Sequence, residues 1–106
     1  MEKLFAYGSL QNEDVQKDLF GRILEGTSET LIGYIIKKIQ IEEDFGLVYY
    51  PIITETQKPE DTIDGMVYAI STQELHQSDL YEGLHYKRVE VQLQSSQKAW
   101  AYSAAI

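Results

Sequence analysis

Glu82 is the residue of this sequence best placed to move a proton. It lies within Asp79-Leu80-Tyr81-Glu82-Gly83-Leu84-His85-Tyr86-Lys87-Arg88, among tyrosines and next to a glycine. A carboxylate held among aromatic rings loses hydration, so its pKa rises and it becomes a better proton acceptor. The bland alternative is an exposed carboxylate in the last turn of a helix. Glu is unfavourable there because it faces the negative end of the macrodipole, and local violations of this kind concentrate at functional sites.

A second segment, Tyr7-Gly8-Ser9-Leu10, places a glycine directly after an apolar-aromatic stretch. A turn at that point can aim consecutive backbone N–H groups outward, and such nests hold anions or carbonyl oxygens. The alternative is a plain strand-to-loop turn. Ser9 lacks a glycine on both sides, so it does not read as a nucleophile elbow.

Other chemistries find little support. The chain has no cysteine, which excludes disulfides, thiolate metal sites and a Cys nucleophile. His76 and His85 have neither helical i,i+4 spacing nor an HExxH pattern, so they read as surface groups and no metal or cofactor is expected. No Ser-His-Asp triad can be assembled around them. Arg88 reads as the structural partner of one of the many acids, and Trp100 and Tyr102 as core residues.

The net charge of −8, from nine Lys and Arg against seventeen Asp and Glu, disfavours nucleic acid and anionic membrane surfaces as partners. Lys37-Lys38 reads as a solvated strand edge. No apolar run approaches the roughly 20 residues that span a bilayer, and the first residues lack the pattern of a secretory signal. A cytoplasmic protein that meets a small molecule is the expectation. Oligomeric state is not legible here.

The elements that must position these segments follow from local chemistry. At 106 residues, 43% of them hydrophobic, the chain suits a single domain over 1–106. Lys3 to Tyr7 reads as a strand. Asn12 is suited to cap a short helix with Val15 and Leu19 on one face, and Gly21 to end it. Residues 30–36 read as one strand with a bulge at Gly33, which 37–41 continue or pair with the next. Asp44-Phe45-Gly46 reads as a turn, and 47–50 as a strand that Pro51 limits.

Glu55 to Asp61 reads as an exposed loop and Thr62 to Ile70 as a strand. Ser71-Thr72-Gln73-Glu74 matches a capping box, so a second helix starts there and Gly83 stops it. Val89, Val91 and Leu93 alternate with polar residues as in a half-buried strand, and 99–102 form the last. Five to seven strands with two short helices make an α+β, barrel-like, mostly antiparallel architecture.

Taken together, the segments resemble the γ-glutamylcyclotransferase-like family, with its γ-glutamylamine cyclotransferase and avirulence-induced branches. The resemblance rests on Leu4-Phe5-Ala6-Tyr7-Gly8-Ser9-Leu10, Tyr50-Pro51, Gly65-Met66-Val67-Tyr68, Asp79-Leu80-Tyr81-Glu82-Gly83 and Tyr86-Lys87-Arg88, in that order. Ser78 departs from the pattern, which usually has Leu before the Asp. The resemblance implies a small mixed β-barrel with two short helices and a cavity between the first loop and the end of the second helix. It further implies Glu82 as general acid/base and Tyr7, Gly8, Ser9, Leu10 and Tyr86 as substrate-binding residues. The implied reaction releases 5-oxoproline from a γ-glutamyl compound without cofactor or metal. A non-catalytic binding or regulatory module on the same fold is the alternative, and an interaction domain with an incidental cavity is a third.

Overall fold

The computed structural model describes residues 1–44 and 46–105. Helix α1 (Glu13–Phe20) begins where the Asn12 side chain accepts hydrogen bonds from the amides of Asp14 and Val15, and ends at Gly21, which is left-handed at φ 74°. Helix α2 (Thr72–Glu82) opens on the expected capping box. The Ser71 hydroxyl accepts from the Glu74 amide at 3.0 Å, and the Glu74 carboxylate accepts from the Ser71 amide at 2.9 Å. Arg22 reaches from beyond α1 to grip the same carboxylate with two bonds of 2.8 Å, which holds it down at about 2.

Seven strands accompany the helices among the described residues: β1 (Glu2–Ala6), β2 (Gly26–Ile32), β3 (Tyr34–Glu43), β4 (Gly46–Glu55), β5 (Thr62–Ile70), β6 (Tyr86–Gln92) and β7 (Lys98–Ala104). Five form a sheet in the order β2-β5-β1-β7-β6, while β3 and β4 pair only with each other. Every pairing is antiparallel except β1 with β7, so the class is α+β with a mostly antiparallel sheet. The barrel implied by the sequence is not closed. The edge strands meet only at one end, through a bridge between Leu31 and Leu93.

Two other expectations change. Gly33 is not a bulge inside one strand. At φ 84° it turns the chain out of the large sheet, and its carbonyl accepts from the Thr56 amide at 2.7 Å. Nor does Pro51 end its strand. Pro51 pairs opposite Lys38, and its carbonyl turns away to accept the Tyr86 hydroxyl. A residue's N and C=O share one side of an antiparallel strand, so the missing N–H falls outside the β3–β4 ladder and costs it nothing. The turn expected at Asp44-Phe45-Gly46 includes Phe45, which lies outside the described residues.

The sheet buries both faces, and β1 shows how. Phe5 joins Leu31, Ile53, Ile63 and Val91 on one side, while Leu4 and Ala6 join Leu10, Ile70, Leu75 and Tyr102 on the other. The first cluster seats the hairpin β3–β4 through Ile53, and the second seats α1 and α2. Full burial of a side chain such as Leu4, Phe5 or Ile53 contributes about 1.5–3 kcal/mol. The end of β1 is thereby fixed beside the end of α2. No described helix is long and apolar enough to cross a membrane.

Candidate active site

Where β1 runs out at Ala6, the chain passes through Tyr7 and Gly8 into a 3₁₀ turn, Ser9–Gln11. The Gln11 amide donates to the Gly8 carbonyl at 3.1 Å and the Asn12 amide to the Ser9 carbonyl at 3.0 Å. The turn itself makes no use of the amides of Ser9 and Leu10, as at any helix start. Gly8 itself has φ −130°, outside the left-handed region. Its lack of a side chain matters for space instead: a Cβ there would meet no atom within 4 Å.

Leu10 pins the loop to the core. Behind it, the buried Gln16 side chain donates to the Leu10 carbonyl at 2.8 Å and accepts from the Leu24 amide at 2.9 Å. This brace was missed from the sequence, where Gln16 is only a polar residue in an amphipathic helix.

Glu82 is the last residue of α2, and Gly83, at φ 76°, turns the chain away after it. The loop and the carboxylate meet across a cavity of about 230 Å³. Its floor is the buried Phe5, Ala6, Leu10 and Tyr102. Its walls are the half-buried Tyr7, Gly8, Tyr50, Glu82 and Tyr86, and its mouth is the exposed Ser9, Pro51 and Tyr81. Tyr7, Gly8, Ser9, Leu10, Glu82 and Tyr86, singled out in the sequence, thus line one cavity. Tyr50, Pro51, Tyr81 and Tyr102 join them; Tyr50-Pro51 and Tyr81 lay within segments the sequence marked, while Tyr102 read only as a core residue.

Burial pushes the Glu82 carboxyl up to about 7. Burial also raises the Tyr86 phenol to about 12 and Tyr7 further, with the Glu82 charge adding to both. The phenols are tied into the fold. Tyr7 donates to the Tyr102 carbonyl at 2.6 Å, and Tyr86 to the Pro51 carbonyl at 2.6 Å. The Tyr86 hydroxyl thereby anchors the hairpin wall. Ser9 Oγ and the Tyr81 hydroxyl pair across the mouth at 2.8 Å.

One turn before Glu82, Asp79 Oδ1 accepts from the Tyr102 hydroxyl at 2.6 Å and lies 3.6 Å from Arg88 Nε. The Arg88 guanidinium stacks on Trp100 at 4.6 Å, which makes it the structural partner anticipated. Ser78, the departure from the family pattern, is fully buried. Its hydroxyl donates to the Leu75 carbonyl at 2.8 Å and lies 2.7 Å from the Tyr102 hydroxyl, a place where Leu would leave polar groups unmet. His85 stacks on Tyr50 outside the lining. No group of three potential metal-ligating side chains occurs among the described residues.

The chemistry available is that of one desolvated carboxylate facing a loop with backbone donors, walled by aromatic rings. Solved structures share the architecture. A protein of Arabidopsis thaliana, known from a solution structure, superposes with a TM-score of 0.78 at 25% identity over 98% of this chain and 62% of its own. A second Arabidopsis thaliana protein does so at 0.73 and 26% identity, over 97% of this chain and 68% of its own. A solved γ-glutamyl cyclotransferase matches at 0.72 and 17% identity, over 97% of this chain and 66% of its own, a likeness of fold alone. The chain thus spans about two thirds of the length of each. No curated protein sequence matches it. The model of the family described as γ-glutamyl cyclotransferase, AIG2-like matches residues 4–105, nearly the whole sequence, and the chain belongs to that family.

Proposed function

We propose that the chain, acting as one domain, is a cyclotransferase-type enzyme that converts a γ-glutamyl amine or amino acid to 5-oxoproline and a free amine. One observation carries this reading: the only carboxylate among the described residues lining the cavity is desolvated to a pKa of about 7 and shares that cavity with the Gly8–Leu10 loop. A general acid/base works best when its pKa lies near the working pH, since it must both take and return protons.

In this mechanism the loop amides hold the γ-glutamyl group, and Glu82 takes a proton from its α-ammonium. The freed amine attacks the γ-carbonyl carbon and closes a five-membered lactam. The bond to the leaving nitrogen then breaks. The α-nitrogen loses two protons in all and the leaving nitrogen gains two, so no water or co-substrate is consumed. The nucleophile belongs to the substrate, which removes the need for a Ser or Cys nucleophile. Ring closure is unimolecular, so binding that folds the substrate contributes directly to the rate. Proton transfer by Glu82 contributes about 10²–10⁴-fold.

The test is a panel of γ-glutamyl compounds assayed for 5-oxoproline, wild type beside Glu82→Gln. Product from the wild type and none from a folded variant supports the mechanism. Equal turnover by the two overturns it. Ligands that raise the melting temperature without product would instead mark a non-catalytic binding module.

A further inference from the structure

We infer that Gln16 is a positioning residue, whose buried side chain sets the orientation of the Gly8–Leu10 loop and with it the affinity for substrate. This rests on the cyclotransferase reading above and adds to it a residue that stands outside the cavity lining.

Helix α1 turns Gln16 inward, where it is 1% exposed and its polar atoms need partners. Both partners are backbone groups of other segments. Nε2 donates to the Leu10 carbonyl at 2.8 Å, and Oε1 accepts from the Leu24 amide at 2.9 Å. A carbonyl meets only a donor and an N–H only an acceptor, so the side-chain amide can keep one orientation alone. Leu24, ahead of β2, is itself buried in the cluster of Tyr68 and Ile70. The brace thus runs from a fixed point in the core to the loop that follows β1.

Apolar packing of the Leu10 side chain holds the loop in place, but it is non-directional and does not set how the peptide planes are turned. The bond from Gln16 does. The Leu10 carbonyl and the Gln11 amide belong to one planar peptide, and that amide donates to the Gly8 carbonyl at 3.1 Å. The Gly8 carbonyl in turn shares a plane with the Ser9 amide. A trans peptide directs its N–H away from its C=O, so holding the carbonyl aims the amide. The Ser9 carbonyl, held by the Asn12 amide at 3.0 Å, aims the Leu10 amide in the same way.

Two linked planes therefore carry the constraint from Gln16 to the N–H groups that the turn leaves unused. Burial strengthens it, since a hydrogen bond in a low-dielectric interior has no solvent competing for its atoms. The substrate meets the loop, and the loop is held from behind by a side chain the substrate never touches.

The experiment is steady-state kinetics of Gln16→Met and Gln16→Asn beside the wild type, with the γ-glutamyl compound that the wild type turns over fastest in the panel above. Met keeps the length of the side chain without its polar atoms. Asn keeps the amide but is one methylene shorter, so it cannot reach both partners at once. Both variants are expected to raise KM by about five-fold or more, with kcat nearly kept. Ile63→Val, in the core and outside the cavity lining, is the control, expected to melt lower with KM unchanged. A Gln16 that served folding alone would behave like this control, because unfolded chains lower the apparent kcat and leave KM as it was. An unchanged KM in the folded variants overturns this proposal and leaves the cyclotransferase reading standing. Where Gln16→Met does not fold, Gln16→Asn decides by the same measure. No 5-oxoproline from any compound of the panel overturns that reading, and this proposal with it.

Discussion

The hydroxyl of Tyr102 donates to Asp79 at 2.6 Å, tying the last strand of the sheet to the helix one turn before Glu82. The same tyrosine forms part of the cavity floor and accepts the Tyr7 hydroxyl through its carbonyl. Tyr102→Phe removes the tie while keeping the ring. The expected outcome is a loss of about 1 kcal/mol in chemical denaturation, from the bond to the half-buried Asp79 and the contact with the buried Ser78 hydroxyl. Glu82 loses its anchor with it, so kcat should fall more than KM rises. Equal activity with lowered stability would show that the tie serves folding alone.

Glu82→Gln has a second signature besides lost turnover. Burial raises the Glu82 pKa to about 7, so the folded chain binds this proton more tightly than the unfolded chain does. That contribution is complete below the ordinary carboxyl pKa of about 4.3 and is lost as pH rises through about 7. Gln cannot lose it. The variant should therefore melt with the wild type near pH 4 and above it at pH 8, by up to about 3 kcal/mol. Melting curves across pH check this, and a difference independent of pH would contradict the desolvated carboxylate.

Gly8→Ala separates the cavity from the backbone. The added Cβ meets no neighbour within 4 Å, so packing does not oppose it and the fold should be kept. The methyl group takes up room in a cavity of about 230 Å³, so KM for γ-glutamyl substrates should rise several-fold. Steady-state kinetics beside a thermal melt distinguish the two effects.

Gly65→Ala should do the reverse. Its Cβ would stand 2.5 Å from the Ala6 carbonyl oxygen and 2.7 Å from the Phe5 ring. Neither can give way, because β1 lies between β5 and β7 and Phe5 is buried. A loss of about 1–3 kcal/mol or more is expected in denaturant titration, as for other overpacked cores.

Tyr86→Phe frees the Pro51 carbonyl and slackens the hairpin wall. Since the hydroxyl is given to the Pro51 carbonyl, the expected effect is on KM, by several-fold, with kcat nearly kept. A kcat loss as large as that of Glu82→Gln would return Tyr86 to the chemistry.

Both helices were legible because their ends are written in local chemistry: Asn12 and Gly21 for one, Ser71, Glu74 and Gly83 for the other. Glu82 and the Tyr7–Leu10 loop were legible as chemically suited segments, and their shared cavity follows from the neighbouring ends of β1 and α2. The fate of the strands around Gly33 and Pro51 was not. Both are settled by partners distant in sequence, Thr56 for the first and Tyr86 for the second. Closure of the sheet depends on how far it curls, which no alternation pattern encodes. Gln16 and Tyr102 looked ordinary for a related reason, since their value lies in carbonyls and carboxylates brought to them by the fold.

The hairpin of β3 and β4 shares no strand ladder with the five-stranded sheet, yet it supplies Tyr50 and Pro51 to the cavity. The carboxylate and the loop stand on the main sheet and its helix, while one wall stands on an arm attached by Ile53 packing and single bonds such as Ser103 to the Ile53 carbonyl at 3.2 Å. Under the proposed function, changes in the arm's sequence or length would alter what the cavity admits without moving Glu82 or the Gly8–Leu10 loop. Substrate choice and chemistry would then be inherited on separate parts of the chain, so that one could drift while the other is held.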